Sequence, residues 1–464
     1  MTSNDPGTLS RAEKQQLLSR LLAEREARAR AASSDHGRAA TANADNASGA
    51  PYDERTYRVE QFPEYRSLQK LLTDVRALAG GQNPYFQVRD GVNAALIARG
   101  VETQLNFSSY NYLGLAGHPE VRNAAKLAID RYGTSVSASR LGSGEVELHG
   151  ELERALAAFL GAEAAIVYVG GHAANVTTVG QLMGPKDVVF YDALIHNSVL
   201  DGVALGGAQG VPFAHNDVND LRRLLRAERG QYRRALIVAE GVYSMDGDIA
   251  DLPALIAAKR EFGALLMIDE AHSLGVIGAR GGGLREHFQV PADSVDIWMG
   301  TLSKSLASCG GYVAGSQALV EYLKYRASGF VYSVGMTPPN AAAALASLRV
   351  LQEEPERVRE LQQKSQLFLE RARANGLDTG SSGGSAIVPV ILGDSARCVR
   401  LAAALASRGI MAFPVIYPAV PEESSRLRFF ITHCHSEQQI EGAVQTLVSC
   451  LAELGNAHAA ASPS

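Results

Sequence analysis

Gly300-Thr301-Leu302-Ser303-Lys304-Ser305 follows the apolar run Val295-Asp296-Ile297-Trp298-Met299, and thirty-five residues upstream of the lysine Asp269 closes another, Ala264-Leu265-Leu266-Met267-Ile268. A lysine set among glycine and small hydroxyl residues at a strand end can form an imine with an aldehyde cofactor. A carboxylate at a neighbouring strand end can keep that cofactor's ring nitrogen protonated. Lys304 and Asp269 together therefore point to pyridoxal 5'-phosphate. The alternative for Asp269 is a structural salt bridge, since a buried carboxylate needs a cation or several donors.

Outward from these two strand ends the chain alternates. Ala164 to Val169, Val188 to Asp192, Ala235 to Glu240, Leu265 to Asp269 and Asp296 to Met299 are short apolar runs without clean alternation, the pattern of strands buried on both faces. Between them Leu148 to Leu160, Val218 to Arg226 and Leu252 to Phe262 carry helical periodicity. The pattern predicts an α/β fold: a mainly parallel sheet flanked by helices, with sites at the carboxyl ends of its strands. After Pro338-Pro339 comes a long helical stretch to about Asn375, then strand-like Ala386 to Leu392, Met411 to Ile416 and Arg426 to Thr432, a smaller α+β domain. The expected organisation is a mobile tail over 1–50, a segment over 51–105 completing the small domain, a large cofactor-binding domain over 106–337, the small domain over 338–455 and a disordered tail over 456–464.

With 464 residues, 46% hydrophobic and 20% charged, the chain can bury a substantial core and exceeds a usual single domain. A formal charge of −5 with both signs interspersed argues against nucleic acid as a partner. No apolar stretch reaches the roughly 18 to 20 residues of a bilayer span and the N-terminus lacks a signal-peptide layout, so a cytoplasmic protein is expected. Cys309, Cys398, Cys434 and Cys450 are far apart and form no CxxC pair, so neither a disulfide framework nor a metal site is expected. Ala31 to Ala50 is mostly Ala, Ser, Asp, Asn and Gly, too poor in large apolar groups to offset the entropy of ordering, and reads as a linker. Ahead of it Ser10-Arg11-Ala12-Glu13 has capping-box spacing, and Leu17, Leu18, Leu21 and Leu22 share one helix face. A docking helix and a solvated, frayed helix are the two readings of that stretch.

Further candidates cluster at the strand ends. His272, three residues past Asp269, is placed to hydrogen-bond a cofactor oxygen; alone it reads as a satisfied core histidine. Gly170-Gly171-His172 joins a strand to a helix and exposes backbone N–H groups at the helix start, an anion site to which Thr301 and Ser303 add hydroxyls. His196, just beyond a strand, can lay its imidazole over an aromatic ring, or simply cap a helix. Arg426-Leu427-Arg428 puts two arginines on one strand face, where one can grip a carboxylate through paired hydrogen bonds; the alternative is two solvated arginines on an edge strand. Ser108 to Leu115, with Tyr110, Asn111 and Tyr112, is by composition a loop.

Taken in order, Tyr110-Asn111-Tyr112-Leu113-Gly114, Gly171 to Asn175, Glu240-Gly241-Val242-Tyr243-Ser244-Met245-Asp246-Gly247, Asp269 to Ser273, Gly300 to Ser305 and Arg426 to Arg428 resemble the motifs of the α-oxoamine synthases. The resemblance runs from about Phe107 to Leu451, and Tyr110 to Tyr112 and Thr301 to Ser305 look most like the serine palmitoyltransferase branch. It implies a fold-type I pyridoxal phosphate transferase with a seven-stranded type of sheet. Lys304 would be the Schiff-base lysine, Asp269 the pyridinium partner and His272 the hydrogen bonder of the ring oxygen. His196 would stack on the ring, Ser244 and Ser303 would contact the cofactor region, and Gly171, His172 and Thr301 would hold the phosphate. Arg428 would bind the amino-acid carboxylate, with Tyr110 and Asn111 beside the substrate. The family's site lies at a homodimer interface, where residues near Tyr332 and Ser333 enter the partner's pocket.

The implied reaction condenses glycine, serine or alanine with an acyl thioester, releasing carbon dioxide and an α-amino ketone. The N-terminal helix and linker suggest an acyl-carrier protein or modular synthase as donor, with coenzyme A as the other source. A transaminase of the same fold and an inert partner subunit are the competing readings. The chain also departs from the family's pattern. Val334 stands where a second hydroxyl is common, Thr337 is an extra residue, and Gly281-Gly282-Gly283 lacks the usual basic residue. Ile416 replaces an arginine of the oxononanoate synthases, which argues against that branch.

Overall fold

The computed structural model describes residues 52–461, with side chains to residue 455; the expected tail and docking helix over 1–50 lie outside them. Two compact units are distinguished, residues 1–73 and 74–464. In the first, the described residues form two short 3-10 turns, Glu54–Thr56 and Val59–Gln61, and most of the helix Pro63–Leu78, whose last residues fall past the division at Thr73. Proline begins that helix at no cost, because the first helical N–H has no intrahelical acceptor.

The second unit opens with β1 (Leu96–Arg99) and β2 (Glu102–Asn106), an antiparallel pair. Its largest sheet contains β3 (Ala164–Tyr168), β4 (Val188–Asp192), β5 (Gln209–Phe213), β6 (Ala235–Glu240), β7 (Leu265–Asp269), β8 (Ile297–Thr301) and β9 (Gly311–Gly315). The strand order is β3-β9-β8-β7-β6-β4-β5. Pairs from β8 through to β5 are parallel, and β9 alone runs antiparallel to both its neighbours. The expected α/β fold with a mainly parallel seven-stranded sheet is therefore present. β6 and β8 are buried at every position, which is why their sequences show no polar alternation.

Helices cover the sheet because each supplies one apolar stripe. Ile166, Val238, Met267, Met299 and Val313 from the strands pack with Ala174 and Val179 of the helix Gly171–Leu182, Val199 of the helix Asn197–Gly206 and Phe330. Burying each such large apolar side chain contributes about 1.5 to 3 kcal/mol. The helix Glu147–Leu160 ends at Gly161, whose φ of 71° is a left-handed conformation that a side chain would strain.

Two smaller sheets complete the unit. β10 (Ile387–Ile391), β11 (Ile410–Met411), β12 (Phe413–Val415) and β13 (Arg426–Phe430) supply them, in the orders β10-β13-β12 and β1-β2-β11. Residues 411–416, expected as one strand, are thus divided between sheets: β11 pairs with β2 and β12 with β13. Arg426 and Arg428 lie on a central strand and are 6% and 7% exposed, which removes the edge-strand alternative.

Other expectations needed revision. The long helix after Pro338 is two, Pro338–Glu353 and Glu356–Ala374, interrupted at Pro355, where the ring removes a donor and clashes with the preceding turn. β5 and β9 were absent from the sequence reading. The helix Glu437–Ala461 runs into the segment 456–464, where alanine, the strongest helix former, is frequent; 462–464 lie outside the described residues.

Candidate active site

The carboxyl ends of β3, β4, β6, β7 and β8 lie along one side of the sheet and carry nearly every candidate. Asp269, the last residue of β7, is 4% exposed. Its Oδ2 accepts from Asn175 Nδ2 at 2.8 Å and its Oδ1 from the backbone N–H of Ala271 at 2.9 Å. Among the described residues it makes no salt bridge, so the structural alternative for this carboxylate fails. Asn175 Nδ2 also donates to Ser198 Oγ at 2.9 Å, linking β7 to the helices that begin at Gly171 and Asn197.

Lys304 lies three residues beyond β8, its Nζ 5.5 Å from the centre of the Tyr110 ring. Burial pushes its ammonium down to about 8, opposed by the charges of Asp269 and Glu240 and reinforced by Arg428. The amine is therefore available near neutral pH. His272 is buried, and its Nδ1 lies 2.7 Å from the Tyr112 hydroxyl. When that phenol donates, the imidazole proton sits on Nε2, the tautomer that offers a donor to a cofactor oxygen. Burial first, then the positive charges of Lys304 and Arg428, hold His272 well below the ordinary histidine range.

The capping reading of His196 is the one seen in the structure. It caps the helix Asn197–Gly206, its Nδ1 lying 2.7 Å from Ser198 Oγ, while its ring stands edge-on to His172 at 6.4 Å between centres. His196 is exposed, yet desolvation by the atoms crowding its ring still disfavours the imidazolium. His172 also reaches Asp201, Nε2 to Oδ2 3.2 Å.

Arg428 Nη1 donates to the carbonyl of Ser244 at 2.8 Å, and the guanidinium lies 4.9 Å from the Phe430 ring centre. Its Nε is buried without a partner among the described residues. Arg426 is different: it pairs with Asp246 at 2.6 Å and donates to the carbonyl of Ser424. Of the two arginines, Arg426 has its charge already paired with Asp246, whereas Arg428 makes no salt bridge among the described residues.

These side chains fit pyridoxal phosphate. The helix Gly171–Leu182 has no side-chain cap among the described residues, leaving its first N–H groups for an acceptor. A Cβ built on Gly171 would sit 3.0 Å from Thr301 Cβ and Oγ1, so only glycine lets the helix start approach the hydroxyl of Thr301, itself 2.7 Å from Ser303 Oγ. A buried carboxylate with no salt bridge among the described residues meets the need of a protonated ring nitrogen.

Some expected residues stand apart. Asn111 is spent on the backbone, with Nδ2 donating to the carbonyl of Asn93 at 3.0 Å and Oδ1 accepting from Ala116 N–H at 3.2 Å. Ser333 donates to the carbonyl of Val334 at 3.2 Å, between the exposed Tyr332 and Val334. Conversely, Glu240, Tyr112 and Asn175 received no role from sequence, although Glu240 ends an apolar strand as Asp269 does. Glu240 is 3% exposed, and burial with the adjacent Asp269 charge pushes its carboxyl up to about 8. The same argument about a carboxylate at a buried strand end singles it out.

Comparison with known proteins agrees with this geometry. The profile of the family described as aminotransferase class I and II matches residues 102–447. The 8-amino-7-oxononanoate synthase of Geobacter sulfurreducens is 42% identical over 389 residues, covering 83% of this chain and 96% of the relative. That of Thermoanaerobacter pseudethanolicus is 36% identical, covering 74% and 86%. Among solved structures, the serine palmitoyltransferase of Sphingomonas wittichii matches with a TM-score of 0.80 at 32% identity, covering 87% of this chain and 99% of that one. The enzyme of S. paucimobilis, solved with bound PLP-myriocin, gives 0.80 at 30% identity, covering 87% and 100%.

Proposed function

The chain belongs to the aminotransferase class I and II family, and from that premise we propose that it is an α-oxoamine synthase, joining an amino acid to an acyl thioester with loss of carbon dioxide. The observation that carries this reading is Lys304 and Asp269 meeting in one buried cluster with Arg428, whose Nε has no partner among the described residues. The cofactor is pyridoxal phosphate, which when bound supplies an electron sink conjugated to the amino acid's α-carbon.

The chain's own residues divide the work. Lys304 holds the cofactor, and its amine, far easier to deprotonate than an ordinary lysine's, removes the α-proton once the amino acid has displaced it. Asp269 keeps the ring nitrogen protonated, Asn175 fixes that carboxylate, and His272 donates to the ring oxygen. His196 covers the ring. Gly171, His172, Thr301 and Ser303 surround the phosphate, Ser244 lies beside the cofactor, and Arg428 anchors the substrate carboxylate in a charge-assisted hydrogen bond. Tyr110 borders the lysine, 5.5 Å from its Nζ, and so faces the substrate side chain.

The relatives include both oxononanoate synthases and serine palmitoyltransferases, so the proposal rests on the condensation those enzymes share. Ile416, buried where the former carry an extra arginine, favours a different acyl chain. Glycine, serine or alanine serves as the amino donor, and a carrier protein or coenzyme A presents the acyl group. The protein acts as a homodimer, supported by the apolar surface that Tyr332, 87% exposed, and Val334 leave around Ser333. Among the described residues no helix is long and apolar enough to cross a membrane. The test is mass spectrometry of products from an amino-acid panel offered coenzyme A and carrier-bound thioesters. An α-amino ketone with carbon dioxide is expected; pyridoxamine phosphate formed from amino acid alone would establish transamination instead.

A further inference from the structure

Glu240 and Asp269 are register partners on adjacent strands, yet their hydrogen bonds point to different duties. Asp269 accepts from Asn175 and Ala271. Glu240 Oε1 accepts from the backbone N–H of His196 at 2.7 Å, and Oε2 from the backbone N–H of Ser244 at 3.1 Å. The carbonyl of that same Ser244 accepts from Arg428 Nη1 at 2.8 Å. One carboxyl group thus ties the loop after β4, which presents His196, to the loop after β6, which steers Arg428.

We propose that Glu240 is a positioning residue for the amino-acid substrate, holding His196 and Arg428 in register with each other through the two loop backbones. The assignment rests on the synthase reading for the roles of His196 and Arg428, while the bonds themselves do not. Strand β13 does not set Arg428 by itself: among the described residues its guanidinium has one backbone acceptor, the Ser244 carbonyl, and that carbonyl belongs to a half-buried turn rather than to a strand. Removing one acceptor from Glu240 frees one loop to drift relative to the other. Cofactor capture by Lys304 and Asp269 is then retained, and grip on the substrate carboxylate is lost.

The test is Glu240→Gln, in which an amide replaces one of the two acceptor oxygens. In the cofactor-free protein, hydrogen exchange should accelerate about tenfold at whichever of the His196 and Ser244 amides faces the new NH2 group, the factor expected for losing one buried hydrogen bond. In the loaded protein the yellow absorbance should persist, while titration of that absorbance with amino acid gives a dissociation constant about tenfold weaker. KM for the amino acid should rise by the same factor, with KM for the thioester within about twofold of the parent. Exchange rates and amino-acid affinity both within about twofold of the parent would overturn the assignment. A lowered melting temperature with unchanged affinity would overturn it too, leaving Glu240 a structural group. Should E240Q fail to fold, the parent protein decides: slow exchange at both amides supports the clamp, and exchange at the rate of an unprotected loop refutes it. Loss of the synthase reading has a separate signature, a parent protein that binds no cofactor or forms pyridoxamine phosphate, whereas the exchange measurements need neither cofactor nor turnover.

Discussion

An amine that loses its proton early should react early, and Lys304 allows that to be measured. Burial lowers its pKa from 10.5 to about 8. At pH 7 the neutral amine is then about 9% of the population, against about 0.03% for an ordinary lysine, a ratio of ~300. The assay follows the rise of yellow absorbance when cofactor-free protein meets pyridoxal phosphate between pH 6 and 10.5. Nα-acetyl-lysine amide, run in parallel, cancels the aldehyde's own titration. The rate ratio of protein to model amine should hold near ~300 from pH 6 to 7 and fall steadily as pH rises through 8 and beyond, because Lys304 then saturates in its neutral form while the model amine is still gaining it. Two substitutions fix the sign. Arg428→Gln removes a positive neighbour and should move the midpoint up; Asp269→Asn removes a negative one and should move it down. A rate ratio that stays flat across the range, or midpoints that move together, would refute the burial argument.

Asp269→Asn keeps the shape of the side chain and its bond from Ala271, so the melting temperature should change little while kcat falls about 10²- to 10⁴-fold, the span of a lost acid–base group. Arg428→Lys should raise KM for the amino acid about ten- to hundredfold, the worth of a hydrogen bond to a charged group; an amine substrate lacking the carboxylate should show no such penalty. Trp298 is 1% exposed and its Nε1 donates to the carbonyl of Ala292 at 2.9 Å, so Trp298→Ala should cost about 3 to 5 kcal/mol in urea-induced unfolding. A loss below about 1 kcal/mol there would mean the sheet repacks around the cavity.

The parallel strands were legible because a strand buried on both faces has no room for polar residues, as Ala235 to Glu240 shows. β9 escaped because Gly311-Tyr312-Val313-Ala314-Gly315 is bracketed by glycine, which reads as a turn; the glycines are there because a Cβ on Gly311 would collide with the backbone of Gly170 and Gly171. β5 contains Pro212, and a proline is tolerated only because β5 is the sheet's edge. At the site, Lys304 and Asp269 were readable from chemistry that few other residue pairs support. Tyr112 and Asn175 were not, since each acts by orienting another side chain across 160 and 94 residues of sequence, and no local pattern records such a partnership. The split of Arg426 from Arg428 was invisible for the same reason: period two makes them equivalent, and only Asp246 tells them apart.

β8 and β9 are antiparallel neighbours, with Thr301 opposite Gly311, so the chain that leaves the sheet to carry Lys304 returns beside its own point of departure. Within that turn Leu302 N–H donates to the Gly310 carbonyl and Ser308 N–H to that of Leu302, both at 2.9 Å. A loop feeding a crossover helix can swing with the helix; this one is stitched shut at its base and has no lever to swing on. The lysine is therefore a fixed post, and whatever breathing admits a bulky acyl chain falls to the walls facing it. Lengthening residues 302–310 should accordingly be tolerated far less well than lengthening the other strand-end connections.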